Sequence, residues 1–573
     1  MSEVSTKSID HLGLVAGMIE ELEIKQTIDA CIPSKSKEKK VSHATAIAAM
    51  ILNGLGYANK QLYLTPRFFE KKATEQLLGS EVKAEYLNKD ALSRTLDAIY
   101  EHGVSELYEK ISHKAVKLLG LTPNTVHLDS TSFHLDGTYK QYQTDNELNQ
   151  PQEGEDNNPK KPTPVKLTKG YSRDHHPHLN QVVLNLIVEH QAGIPMMMRA
   201  ADGNQIDASA FASLVDAHID SLKAMNTSTM TLVADAALFT AKGLEAIKDK
   251  QIHFISRVPN KLKEAKALIQ SETSNTLTLL DENYSFSEHT IDYGEMEQKW
   301  VLYKSVLAAQ REDKTLSKKL LLESTHSTKK AKKLMIQPFF CEADAKEALK
   351  NFKSKHPLVE LKNETLYIKP KFKTKGRPKP NQEPSHYEYY WQFAITMPKE
   401  TLKNQSEEES GYFILATNNL TLTPEELLQE YKSQQRVERG FRFLKSPEFL
   451  SDALFLKKPQ RIEAMLMIMT LCLMVYAALE YKIRKELKEQ DKTFPNQLGK
   501  PVQNPTARWV FECFFEIQIV IIEQLEQQVI ANLLERNHFI LDLLGTRYWH
   551  YYRVGSKKRN GVRNDGIKHS KFA

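Results

Sequence analysis

Cysteine is scarce in this chain of 573 residues. Cys31, Cys341, Cys472 and Cys513 are scattered and none stands in a CxxC pair, which argues against a disulfide framework or a cysteine zinc site and fits a reducing compartment. The N-terminus lacks the basic, apolar and small-residue order of a secretion signal. Long apolar runs are lacking too. "AMLMIMTLCLMVYAA", from Ala464, stays uncharged only as far as Leu479. That is short of the roughly 20 residues a bilayer span needs, so it reads as a buried core helix and no membrane partner is expected. Neither sign of charge is in large excess, the formal net charge being +6.

The distribution of that charge is uneven. Lys369, Lys371, Lys373, Lys375 and Arg377 stand between Lys362 and Lys379 with only Glu364 against them. Arg553, Lys557, Lys558, Arg559, Arg563, Lys568 and Lys571 crowd the end of the chain against Asp565. Such patches suit a polyanion, although a solvated face is the commoner reason for a charge run.

The length exceeds one ordinary core, so several domains are expected. Residues 1 to about 115 read as helical throughout. In "LNKDALSRTLDAIYEHG", Asn88 or Asp90 caps a helix carrying Lys89 and Arg94, either the second helix of a helix-turn-helix or part of a plain bundle. From Thr125 the period changes. "TVHLDSTSF" alternates as a strand does, and a polar loop follows over about 140 to 166. "NQVVLNLIVEH" and "IPMMMRAAD" read as strands joined at Ala192 and Gly193, followed by a helix capped by Asp207. "TMTLVADAAL", "TAKGLEAIKDK" and "HFISRV" add strand, helix and strand. The order predicts a mixed sheet covered by helices. Residues 260 to 410 behave as an insertion, with short strands and a lysine-rich helix from Lys329 to about Lys355. "GYFILATN" restores a buried strand, Thr423 caps a helix, and the chain to about 545 is read as strongly helical.

Asp129 lies inside the first strand and Asp235 ends the fourth. A carboxylate on an apolar strand is costly unless paired, hydrogen-bonded or ligating a cation. Each alone fits a turn or cap, but adjacent strands would bring both to one edge of the sheet. "YKSQQRVERGFRFLK", residues 431 to 445, reads as one helix with Tyr431, Gln434, Glu438, Arg442 and Lys445 along one face, where an amphipathic helix normally carries apolar residues. Glu438 is thus a third candidate carboxylate. Three carboxylates with open positions suit Mg²⁺, and paired ions can activate a water or a 3′-hydroxyl and stabilise the leaving oxygen at phosphorus.

Tyr431, Gln434, Glu438 and Lys445 resemble the Y-x2-R-x3-E-x6-K signature of bacterial insertion-sequence transposases of the DDE type. "LDST" around Asp129, "VADAAL" around Asp235 and "GYSRDHHPHLNQVVLNL" from Gly170 resemble the family's aspartate and second-strand motifs. The resemblance covers about 115 to 480. It departs at Gln434, where the signature has arginine; Arg436 or Arg442 could carry the missing charge.

The resemblance implies an α/β catalytic core of ribonuclease H-like type, a mixed five-stranded sheet with helices, split as 116–259 and 411–480 around an insertion over 260–410. A helical N-terminal domain, 1–115, would bind DNA ends, and a helical C-terminal region with a basic tail would fill 481–573. It also implies a metal-dependent enzyme in which Asp129, Asp235 and Glu438 hold two Mg²⁺ ions, or Mn²⁺ in their place. Tyr431, Gln434, Arg436, Arg442 and Lys445 would contact DNA beside them. The expected substrates are duplex DNA at terminal inverted repeats and target DNA, cut and joined by a homodimeric synaptic complex in the bacterial cytoplasm at the nucleoid. The alternative is an inactive, transposase-derived DNA-binding protein.

Three motifs are weaker. "HHPH", His175 to His178, reads as a polar turn rather than a metal pair, and "HYYR", from His550, lacks the later tyrosine a tyrosine recombinase needs. "KGRPKP", with Lys375 and Arg377, resembles one AT-hook core or a basic loop, either able to bind phosphates.

Overall fold

The computed structural model describes residues 4–34, 40–57, 62–135, 163–171, 176–205, 207–225, 229–271, 276–356, 359–373, 379, 382–396, 410–446, 456–523 and 527–553, leaving aside the side chains of 207–210, 316, 320 and 436. The chain divides into two compact units, one of residues 1–256, 294–296 and 426–573, the other of 257–293 and 297–425.

The first unit opens with a strand, β1 (Val4–Ser8), that pairs antiparallel with Gln518–Ile522, itself paired with Gln527–Ala531. Neither terminal region is therefore purely helical, contrary to the sequence reading. The β-branched run "QIVII" carried the strand signal. Helices α1 (Lys89–His102) and α2 (Val104–Leu119) follow, the Asn88 side chain capping α1 by accepting from the Ala91 amide. Leu92, Leu96 and Ile99 recur at helical spacing and are buried, while Lys89 and Arg94 on α1 are exposed.

Strands β2 (Thr125–Leu135), β3 (Asn180–Glu189), β4 (Pro195–Ala201), β5 (Thr231–Ala234) and β6 (His253–Arg257) lie in the order β4-β3-β2-β5-β6. β3 is antiparallel to β2 and β4, whereas β5 is parallel to β2 and β6. Helices α3 (Asp207–Lys223) and α4 (Ala241–Asp249) are the crossovers, so the predicted order of three strands, helix, strand, helix, strand holds. The parallel strands are buried on both faces and read as continuous apolar runs for that reason.

The segment 163–171 lies against the ends of β3 and β4. The Gly203 amide donates to the Lys166 carbonyl at 3.0 Å, and Gln181 Nε2 donates to the Gly203 carbonyl at 2.6 Å. A Cβ on Gly203 would stand 2.1 Å from the Gln181 carbonyl oxygen, a backbone atom that cannot yield. Gly203→Ala is therefore expected to destabilise the protein by about 2 kcal/mol or more, read as a lowered melting midpoint; an unchanged midpoint would contradict this packing.

In the second unit the strand Tyr412–Thr417 pairs antiparallel with Met296–Ser305, with Ile414 opposite Leu302. The expected lysine-rich helix is two helices, Val306–Ile336 and Glu342–Lys355. Pro338 lies between them and cannot donate to a continuing helix, and the Cys341 side chain caps the second. Leu334, Phe339, Leu349, Phe352, Trp391 and Phe393 form this unit's own core beneath the hairpin Glu360–Lys371 and His386–Thr396.

Where the chain returns to the first unit at residue 426 it is within α5 (Pro424–Ser433), which α6 (Gln435–Leu444) and α7 (Pro459–Glu489) follow. α7 is the one helix among the described residues long and apolar enough to cross a membrane, and 83% of its apolar window is buried in the fold. It packs on α1, α2, Leu12–Glu21 and His43–Leu55, as the core-helix reading requires. Arg461 on α7 donates through Nε and a terminal nitrogen to both Asp97 carboxylate oxygens on α1, each at 2.7 Å. Those bonds hold the Asp97 carboxyl below its usual range.

Candidate active site

Register brings the two aspartates together. Leu128 of β2 pairs with Ala234 of β5 in parallel, and Asp129 and Asp235 are the next residue on each chain. Neighbouring strands run about 4.8 Å apart, so the two aspartates stand on adjacent segments of backbone where β5 ends. Both residues are half-buried. The Ser130 amide donates to Asp129 Oδ1 at 2.7 Å, and the Ala237 amide to Asp235 Oδ1 at 2.9 Å. The Ser256 hydroxyl donates to the Asp235 carbonyl at 2.9 Å, fixing the turn that ends β5.

Glu438 stands on α6, which packs on β2. The expected single helix over 431 to 445 is divided at Gln434, whose amide donates to the Tyr431 carbonyl in a tightened turn at 3.2 Å. Val437, Phe441 and Leu444, at helical spacing, are the buried stripe of α6. Gln434 falls on that stripe and is only 9% exposed. Little of its side chain is thus open to a phosphate, and an uncharged amide suits that burial better than a guanidinium would. Glu438, Arg442 and Lys445 each follow a buried residue by one position, so they run along the margin of the packed face; Glu438 and Arg442 are exposed, Tyr431 and Lys445 half-buried.

Arg436's side chain, Lys375, Arg377 and His175 lie outside the described residues. His134, His176 and His178 have neighbouring rings, with centroids 5.4 and 5.8 Å apart in succession. Among the described residues no three histidine, cysteine, aspartate or glutamate side chains stand close enough together to hold a metal ion. The neighbouring aspartates nevertheless supply the hard oxygen donors Mg²⁺ takes, which needs only one or two carboxylates beside water and phosphate. Tyr548, Tyr551 and Tyr552 are buried packing residues, the Tyr552 hydroxyl donating to the Asp10 carbonyl at 2.6 Å.

One titratable residue escaped the sequence reading. Glu463 of α7 borders a cleft of about 540 Å³ lined also by Lys166, Arg199, Asp202, Asn204 and Gln205. Burial pushes its carboxyl up to about 7, the Val165 amide, which donates to it at 2.8 Å, acting against that and Asp202 reinforcing it. The available signal was a lone carboxylate just before the apolar run.

Residues 122–475 match the family model described as a transposase DDE domain, and the chain belongs to that family: it is a DDE-type transposase. Residues 4–113 match a domain of unknown function, DUF4277. No curated protein matches the chain. A cryo-EM structure of the piggyBac transposase synaptic complex with hairpin DNA is similar at 9% identity and a TM-score of 0.36, covering 89% of this chain and 82% of that one. At that score the likeness carries no structural argument.

Proposed function

We propose that this transposase cleaves phosphodiester bonds at the inverted-repeat ends of an insertion sequence and transfers the 3′ ends to target DNA, with Asp129, Asp235 and Glu438 holding two divalent ions. The observation that carries the reading is the in-register adjacency of Asp129 and Asp235 on parallel strands, with the Glu438 helix packed on the same β2. The β4-β3-β2-β5-β6 order, with β3 reversed, supports a ribonuclease H-like core. Bound ions would lower the pKa of a water or 3′-hydroxyl and offset charge on the leaving oxygen.

The chain's own residues do the positioning. Backbone amides of Ser130 and Ala237 orient the aspartates. Arg442, Lys445 and the Tyr431 hydroxyl flank Glu438 and take DNA phosphates, with Arg436, Lys375 and Arg377 as further basic contacts. Gln434 supports the helix junction. Residues 1–115 take end recognition, and two copies of the chain assemble on paired ends in the cytoplasm.

DNA bearing the sequences that flank the gene tests this: it should be nicked with Mg²⁺ or Mn²⁺ and left intact with chelator. End binding without cutting under any divalent metal would favour the inactive DNA-binding descendant instead. Lys445→Ala should weaken binding and lower the slope of log affinity against log salt by about one. An unchanged slope removes Lys445 from the phosphate contacts.

A further inference from the structure

His127 is wholly buried on β2, two residues before Asp129 and on the same face of the strand. A buried imidazole is costly without a partner. Its Nε2 lies 3.0 Å from the hydroxyl of Ser433, a residue 306 positions later in the chain. That hydroxyl donates its one proton to the Glu430 carbonyl at 2.7 Å, so it accepts from His127, whose Nε2 carries the hydrogen. Ser433 is the last residue of α5, immediately before the Gln434 junction and α6. A serine bonded back to its own helix bends it, which suits a junction here.

We propose that His127 is a positioning residue, which through Ser433 sets the register of the Glu438 helix against the strand that carries Asp129. The inference rests on the carboxylate reading above. Asp129 lies about 7 Å along the strand from the anchor, and Glu438 stands in the first turn of the helix that follows the anchor and its junction. Much of the packing of α6 is apolar: Val437, Phe441 and Leu444 face inward, the Phe443 ring lies against that of Tyr476, and Gly440 stands beside Leu473 of α7, where an added Cβ would come within 3.1 Å. Apolar contact is not directional and permits sliding and rotation, whereas one buried hydrogen bond fixes a position. Catalytic groups must be held to a fraction of an ångström, so this bond matters more to the site than to the fold.

The test uses the full chain with ferrous iron, ascorbate and peroxide, which cut the backbone beside a bound cation. In the wild type, cuts are expected near Asp129, Asp235 and Glu438. In His127→Ala the cut near Glu438 should fall several-fold relative to that near Asp235, with DNA cleavage down by roughly 100-fold. His127→Gln, whose amide nitrogen can replace Nε2–H, should restore both. Ser433→Ala should reproduce the loss and Ser433→Thr should not, which serves if His127→Ala fails to fold. Equal cutting ratios in Ser433→Ala and wild type overturn the inference while leaving the carboxylate reading intact. A wild type cut at the aspartates but never near Glu438 overturns it as well. Absence of any iron-dependent cut in the wild type takes down the carboxylate reading and this inference together.

Discussion

Asp129→Asn, Asp235→Asn and Glu438→Gln are each expected to reduce end cleavage by on the order of 10³-fold or more while leaving end binding nearly unchanged. The size follows from what a bound cation contributes to charge stabilisation at a transferring phosphoryl group. That is several kcal/mol, and each 1.36 kcal/mol is tenfold in rate. Binding should survive because, in the proposed reading, Arg442, Lys445 and other basic residues hold the duplex through its phosphates, and these changes touch none of them. The amides are nearly isosteric, and Asp129 and Asp235 each accept a backbone amide that an amide oxygen can still take. Loss of activity should therefore come without loss of folding. Cleavage gels and band-shift assays on the same samples decide it, with melting midpoints as the control. Wild-type rates in Glu438→Gln alone would leave an aspartate pair and take the helix out of the chemistry.

The second large effect concerns stability and pH. Glu463 has its carboxyl raised to about 7 chiefly by burial, so the folded chain holds this proton more tightly than the unfolded chain does. Its contribution is most favourable below the ordinary carboxyl value and is lost as pH rises toward and through 7. The difference between the two values corresponds to about 3 kcal/mol. Glu463→Gln keeps an oxygen for the Val165 amide and removes the ionisation. The variant should thus melt higher than wild type at pH 8, with the two converging at pH 5. Parallel curves across that range would mean that the carboxyl does not change its charge there. Asp97 acts in the opposite sense: Arg461 depresses its carboxyl, so its contribution is present above the ordinary value and lost as pH falls through the folded one.

Much of the arrangement was legible because local pattern and global packing agree. The alternation in "TVHLDSTSF", the continuous runs in β3 and β5 and the uncharged stretch of α7 each mark a buried element by periodicity. The misses have local causes. β1 is five residues long, too short for a period to emerge, and its partner was some 510 positions away. The division at Gln434 leaves helical dihedral angles on both sides, so no breaker residue announces it. The stripe of Gln434, Val437, Phe441 and Leu444 was as visible as the charged one beside it. It passed unread because the charged stripe matched a signature at the neighbouring positions.

The amino-acid order by itself determined the family and the element types across the β2 to β6 region, and marked Asp129, Asp235 and Glu438 as candidates, since side-chain type and period are properties of a local stretch. Only the tertiary structure decided that Leu128 pairs with Ala234, that His127 meets Ser433, that Gln434 is buried and that Glu463 is buried enough to keep a proton near neutrality. Those depend on strand register and on burial by distant segments, which a one-residue slip would reverse without altering any local pattern.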